Sequence, residues 1–330
     1  MSWLRSVLIL GAVGLVWIRW ERIWELLQRG DLGDRAAAVG TLLLPWLIAL
    51  ARQPSNQSGR PTDKSLQRSG SVVVAILTAA FLAPVLAPYD PTAQLDLAHG
   101  RLLPPSPAHP LGTDLFSRDL FSRLLYGARL SLWIACFSIA IAVLIGTSIG
   151  LAAGYFGGTV DGVLMRLVDT ALAIPRIFLL LVVLTLWEKG GVATIVLVLG
   201  ATGWFGTSRL VRAEVLSLKG RDFVTAARAL GIRPLRILLR HILPNALAPV
   251  IVTATLGVGQ VVLMEAALSY LGIGVPPPYP SWGSMIADAQ PFLPTHPWMA
   301  IAPGLALVGT VLAFSFLGEW LQARIDPRRR

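Results

Sequence analysis

Few residues in this chain are of types and spacings that could do chemistry. Gly146-Thr147-Ser148-Ile149-Gly150 fits the G-x-S-x-G pattern in which a serine hydrolase presents its nucleophile. That chemistry needs a strand–turn–helix elbow and a distant His and acid, whereas this stretch lies inside a long apolar run. Its glycines offer a second reading. Gly146, Gly150 and Gly154 recur every fourth residue and would open one helix face to close approach by another helix. The histidines, His99, His109, His241 and His296, include no i,i+3 or i,i+4 pair. No Cys or acid cluster completes a ligand set, so neither a metal site nor a cofactor is expected in the chain. A single cysteine, Cys136, excludes an intrachain disulfide and reads as a small buried hydrophobe.

Four charged residues fall within apolar stretches: Asp169, Arg176, Glu265 and Glu319. Charge in hydrocarbon is costly, so such residues face a bundle interior or water. Asp169 and Arg176 are seven residues apart, about two helical turns along one face, with Pro175 between them. The spacing admits an ion pair or a pore-facing role, and Asp169 is also close enough to the end of its stretch to reach headgroups. Glu265 and Glu319 sit within a turn or so of their stretch ends. No chain of carboxylates threads these segments, which argues against proton-coupled transport.

The elements that must position these residues follow from composition. Of 330 residues, 55% are hydrophobic and 14% charged, with mean hydropathy +0.67. A soluble domain carries roughly 25% charged residues, so much of this chain faces something other than water. About 20 apolar residues cross about 30 Å of hydrocarbon. Six segments qualify: 71–88, 130–153, 167–187, 191–208, 246–270 and 298–320. Two shorter ones, 3–18 and 36–51, the second interrupted by Pro45, either span or lie in the interface. No small-x-small cleavage site follows the first, so an uncleaved anchor is expected.

The net charge of +10 comes from 25 Arg and 3 Lys against 18 acids. Its placement points to topology, and nucleic acid is not needed as a partner to explain it. Loop 52–70 carries Arg52, Arg60, Lys64 and Arg68 against Asp63, and the stretch 209–241 has eight basic residues against Glu214 and Asp222. The tail 324–330 has four Arg against Asp326, whereas 19–35 and 88–129 are each balanced and 271–297 holds only Asp288. With eight spans, basic and neutral segments alternate, which puts both termini in the cytoplasm. The external stretch 271–297, with Pro276, Pro277, Pro278, Pro280 and Trp282, reads either as a structured cap or docking site or as an interfacial loop with aromatic anchors.

The loop 212–245 is long, basic and patterned. Phe223, Ala226, Ala227 and Leu230 share one face of a short helix, beside Asp222, Thr225 and Arg228. Gly231 follows where a left-handed C-cap is needed, and Pro234 suits the first turn of a second helix. There Leu235, Leu238, Leu239 and Ile242 form one face and Arg233, Arg236 and Arg240 another, before His241 and Pro244. The two helices make a compact cytoplasmic knob that either docks into a partner's groove or lies on anionic lipid.

The run Thr225-Ala226-Ala227-x3-Gly231, followed by His241-Ile242-Leu243-Pro244-Asn245, resembles the signature loop of binding-protein-dependent ABC importer permeases, with Thr225 where the family usually has Glu. Three further motifs appear in order: His109-Pro110-Leu111-Gly112-Thr113-Asp114 with Ser117-Arg118-Asp119, then Glu265-Ala266-Ala267-Leu268-Ser269-Tyr270-Leu271-Gly272 with Pro280-Ser281-Trp282-Gly283, and finally Asp326-Pro327-Arg328. Together they resemble the second permease subunit of dipeptide, oligopeptide and nickel importers over residues 71–330. The resemblance implies an all-α polytopic transmembrane bundle. A six-helix core would follow an N-terminal extension (1–51) and a cytoplasmic linker (52–70). It also implies a bacterial cytoplasmic-membrane location, a homologous permease partner, two cytoplasmic ATP-binding subunits and an extracytoplasmic solute-binding protein. The cargo would be a peptide, or alternatively nickel or another small solute. The chain lacks a Gly-x4-Gly-Lys-Ser/Thr loop, so ATP hydrolysis falls to a partner. Two rival classes are an ion-coupled secondary transporter, which would show broken helices around midplane charges, and an intramembrane hydrolase, for which Ser148 has no His at matched depth.

Overall fold

The computed structural model describes residues 73–187 and 191–325. The extension 1–51, its two apolar segments, the linker 52–70 and the closing Asp326-Pro327-Arg328 lie outside the described residues. Among those described, every regular element is a helix. The chain opens with α1 (73–81), which breaks at Leu82 before the short α2 (Ala83–Leu86). A loop then leads to α3 (Leu120–Phe156), α4 (Gly158–Leu172), α5 (Arg176–Leu186) and α6 (Val192–Lys219). The short α7 (Asp222–Ala229) and α8 (Pro234–Ile237) precede α9 (Leu243–Tyr270), and α10 (Trp282–Ala289) and α11 (Trp298–Ile325) close the bundle.

Helix α3 starts at Asp119, whose side chain accepts from the Ser122 backbone N–H, and stops at Gly157, where φ is 68°. Its 37 residues rise about 55 Å, well beyond the hydrocarbon thickness. The expected span 130–153 is therefore the central part of a longer rod. Likewise 191–208 is the first part of α6, which runs to Lys219.

The most extensive helix pair is α3 with α6. A Cβ at Gly146 would lie 2.7 Å from the Thr207 Cβ, one at Gly150 2.6 Å from the Ser208 carbonyl oxygen, and one at Gly154 2.8 Å from the Val215 Cβ. Gly200 answers from α6, 2.7 Å from the Ile141 Cβ by the same measure. In hydrocarbon, helices gain from contact and dispersion rather than from expelling water, so a face without side chains is what allows this approach.

The expectation of one span over 167–187 is corrected. Helices α4 and α5 meet at an 85° bend. Pro175 caps α5 with ψ 124°; it has no N–H to continue α4 and disfavours helical geometry at Ile174. Four described helical stretches are long and apolar enough to cross a membrane, or five if the bent pair counts as one. Cys136 is also corrected: it is exposed, on the outward α3 face with Trp133 and Phe137.

Replacing Gly150 with Val should lower the thermal unfolding midpoint of the detergent-solubilised protein, because overpacking costs about 1–3 kcal/mol. Gly162, with nothing within 4 Å of its would-be Cβ, provides the contrast. Gly162→Ala should leave the midpoint unchanged or slightly raised.

Candidate functional site

The chain's most distinctive exposed feature is the foot built by α7, α8 and the start of α9. Helix α7 ends in a Schellman motif: the Ile232 N–H donates to the Ala227 carbonyl at 3.1 Å and the Gly231 N–H to that of Arg228 at 2.9 Å. Gly231 carries the required positive φ of 70°. The same tripeptide, Leu271-Gly272-Ile273, ends α9 the same way, with Gly272 at φ 78°.

The expected face of α7 is divided between two environments. Ala227 turns inward with Val224, while Phe223, Ala226 and Leu230 stay exposed, Leu230 at 79%. Apolar residues surround most of this helix, so its period does not say which stripe the chain buries. In the next helix the expected face is corrected. Ile237, Leu238, Ile242 and Ala246 are buried, whereas Leu235 and Leu239 are 64% and 50% exposed. Asp222, Thr225, Arg228, Arg233, Arg236 and Arg240 are all exposed around them. The Thr225 hydroxyl donates to the Asp222 carbonyl at 2.9 Å, and Asp222 lies in the first turn of α7, where a negative charge suits the helix dipole.

The second foot helix is not separate from the span that follows it. From Pro234 to Tyr270 the chain is one continuous helical stretch, passing through a π turn at Leu238–Ile242. Pro244 has no N–H for an α-helical ladder, and the wider turn just before it relieves that conflict. The Asn245 side-chain amide donates to the His241 carbonyl at 2.7 Å, meeting an acceptor near the break.

The inward side of the foot is locked to the bundle. Val224, Ala227, Ile237 and Ile242 join one buried cluster with Leu151 and Tyr155 of α3 and Val211, Val215 and Leu218 of α6. Lys219 donates to the Tyr155 carbonyl at 2.5 Å. Lys219 and Arg228 both lie over the Tyr155 ring, at 5.7 and 5.8 Å. Packed side chains therefore join α7 directly to both long helices.

The intramembrane charges are distributed differently from the expectation. Asp169 pairs with Arg209 and not with Arg176, because the bend separates their helices. One turn pair away, Arg212 grips Asp161 through Nε at 2.5 Å and Nη2 at 2.6 Å. Sequence reasoning missed Asp161, Arg209 and Arg212 as partners, since none is near its counterpart in the chain. Arg176 instead donates to the Leu199 carbonyl at 2.7 Å. Glu265 is fully buried, accepting from Ser131 at 2.7 Å and Ser269 at 2.6 Å. It ties α3 to α9 beneath α10, where Trp282 donates to the Leu124 carbonyl at 3.2 Å and a Cβ at Gly283 would meet the Ala266 oxygen at 2.2 Å. Glu319 is exposed on α11.

The end of the bundle opposite the foot holds a polar knot. His109 Nδ1 lies 2.9 Å from Asp119 Oδ1, and Arg118 Nε donates to Asp114 at 2.6 Å. Arg118 and Arg123 reach Asp288 on α10 at 3.4 and 3.2 Å. Burial pushes the Asp288 carboxyl above the usual range, opposed by the Arg123 and Arg118 charges. Among the described residues no group of His, Cys, Asp and Glu could hold a metal ion. The Ser148 hydroxyl donates to the Leu144 carbonyl of its own helix at 2.8 Å, inside the continuous α3 rather than at a strand–turn–helix elbow.

The family model described as a binding-protein-dependent transport system inner membrane component matches residues 146–330. The chain is 39% identical over 276 residues to a dipeptide transport system permease protein, DppC, of Alkalihalophilus pseudofirmus, which covers 82% of this chain and 90% of that protein. It is 37% identical to an oligopeptide transport system permease protein, OppC, of Bacillus subtilis, over 78% of this chain and 84% of that one. Among solved structures, a chain of the MetNI methionine ABC transporter in an inward-facing form superposes with a TM-score of 0.50, covering 63% of this chain and 98% of that chain. At 21% identity that likeness is one of fold.

Glu265→Ala would leave the buried Ser131 and Ser269 hydroxyls without their acceptor. It should cost about 1–3 kcal/mol, read as a lowered unfolding midpoint in detergent. Glu265→Gln keeps a carbonyl acceptor in the same place and should retain most of the wild-type midpoint.

Proposed function

This chain belongs to the family of binding-protein-dependent transport system inner membrane components, and we propose that it is the permease subunit through which an ATP-driven importer passes di- and oligopeptides. The exposed stripe Phe223, Ala226 and Leu230 carries the coupling part of this reading. It is apolar and ringed by Arg228, Arg233 and Arg236, and it sits on a helix whose opposite side is fixed in the bundle. An isolated membrane protein gains nothing from holding such a stripe in water, whereas a docking helix needs it. The peptide cargo rests on the relatives, which are named for dipeptide, oligopeptide and glutathione transport.

In this reading a cytoplasmic ATP-binding subunit receives α7 in a groove, with Thr225 and Arg228 at its rim. A homologous permease and a second such ATPase complete the machine, and a solute-binding protein delivers cargo at the end bearing α10. In this reading the foot and both termini lie on the cytoplasmic side of a bacterial inner membrane, an orientation supported by the excess of Arg and Lys in the loops on that side. The chain itself catalyses no reaction. Closing of the ATPases moves the two feet, and the packed cluster beneath α7 turns that movement into a rigid-body change between inward- and outward-open bundles. His241 and Pro244 stand at the π turn, where the foot becomes the span.

A Cys introduced at Ala226 should crosslink to an ATP-binding subunit in membranes, and crosslinks confined to lipid would remove the docking reading. Leu230→Asp places a charge in the same stripe at a site that is 79% exposed. If Leu230 is a docking anchor, its loss weakens ATPase binding by about 2 kcal/mol, roughly thirtyfold. Peptide uptake should then collapse while the permease still reaches the membrane.

A further inference from the structure

A second site lies at the α4–α5 bend, where Arg176 lines a cavity of about 260 Å³ with Leu172, Pro175, Thr202, Gly203 and Gly206. Two helix counts from the 187–191 connection, taken as the membrane surface, give its depth. From Arg176, α5 rises about 16 Å to its far end, and from Val192, α6 descends about 15 Å to Thr202. Half of a hydrocarbon layer is about 15 Å. The guanidinium therefore sits near the membrane midplane.

Among the described residues no carboxylate lies within ion-pair distance of it, although Asp161 and Asp169 are both engaged by other arginines nearby on α6. Its neutral partners are the Leu199 carbonyl at 2.7 Å and the Thr202 hydroxyl at 3.4 Å. A guanidinium has five N–H donors, so most of its capacity is unspent. The neighbouring α6 surface is open at Gly206, where a Cβ would meet nothing within 4 Å, while one at Gly203 would come within 3.1 Å of both Arg176 Nη2 and the Ala142 Cβ of α3. A cation held near the midplane with no counter-charge among the described residues, beside a break in a spanning helix, is arranged to meet a mobile anion.

We propose that this cavity is a midplane subsite for a carboxylate of the cargo, and, resting on the peptide-importer reading, for the peptide's C-terminal carboxylate. Its volume is below the roughly 300–1,000 Å³ of sites that enclose a whole small ligand, so it accepts one end of a peptide. The carboxylate would take the open donors of Arg176 while the rest of the peptide extends along the bundle. A cation at this depth would draw anionic cargo ends inward and disfavour peptides whose C-terminus is blocked.

The test uses the assembled transporter in nanodiscs, with Gly206→Cys as reporter and Cys136→Ser removing the chain's own thiol. An anionic methanethiosulfonate should label position 206 roughly tenfold faster than a cationic one of similar size, because a fixed charge in a low-dielectric cleft concentrates its counter-ion. Arg176→Gln should abolish that preference and Arg176→Lys should keep it. A free-acid dipeptide should slow labelling, and its C-terminal amide should not. Equal labelling by both reagents, a preference that survives Arg176→Gln, or equal protection by acid and amide would overturn the subsite. So would dissociation of the permease pair by Arg176→Gln, which would make Arg176 the partner of a carboxylate on the other permease. Protection by acetate in a transporter that imports no peptide into liposomes would uphold the carboxylate site and overturn the peptide reading.

Discussion

Close approach of α3 and α6 sets the geometry of the bundle, because hydrocarbon supplies little hydrophobic force between helices and contact must do the work. Gly146, Gly150 and Gly154 leave gaps on the facing surface of α3, and Thr207, Val211 and Val215 of α6 occupy the space. Both helices outrun the membrane, so the contact continues past it. There Leu151 and Tyr155 meet Val211 and Leu218 and form the floor on which α7 rests. The foot is therefore an extension of the main helix pair, and what presses on it presses on the whole bundle.

Polar groups follow a consistent logic around this pair. Several charged residues within the helical bundle meet partners on another element: Asp161 with Arg212, Asp169 with Arg209, and Glu265 with the Ser131 hydroxyl. At the end away from the foot, Asp114, Arg118, Arg123 and Asp288 bind α10 to the loop before α3 and to the first turn of α3. These contacts make the two ends of the bundle well defined. Arg176 stands apart, with neutral partners at mid-depth and open space beside it. A break in the α4–α5 stretch also brings the fold nearer to broken-helix transporters than an unbroken span would. The family match and the relatives still assign it to the binding-protein-dependent transport class.

Membrane residence, the order of the main apolar stretches and the existence of a patterned basic loop were legible in the residues themselves. Apolar run length and glycine or proline punctuation are local properties, which is why Gly231 could be placed as a cap and Pro234 as a helix start before any coordinates. Other features were not local. Pro175 breaks its helix by 85°, while Pro249 and Pro303 remain inside theirs, and no propensity separates the three. Which apolar stripe of α7 is buried, why Leu235 and Leu239 face outward, and which arginine meets Asp169 all depend on neighbours distant in the chain. The sequence alone determined that this is a helical membrane protein with a basic, patterned foot, since apolar run length and charge placement are written residue by residue. Only the tertiary structure decided which faces are spent on the chain's own core and which are left over, because that is fixed by the helices packed alongside.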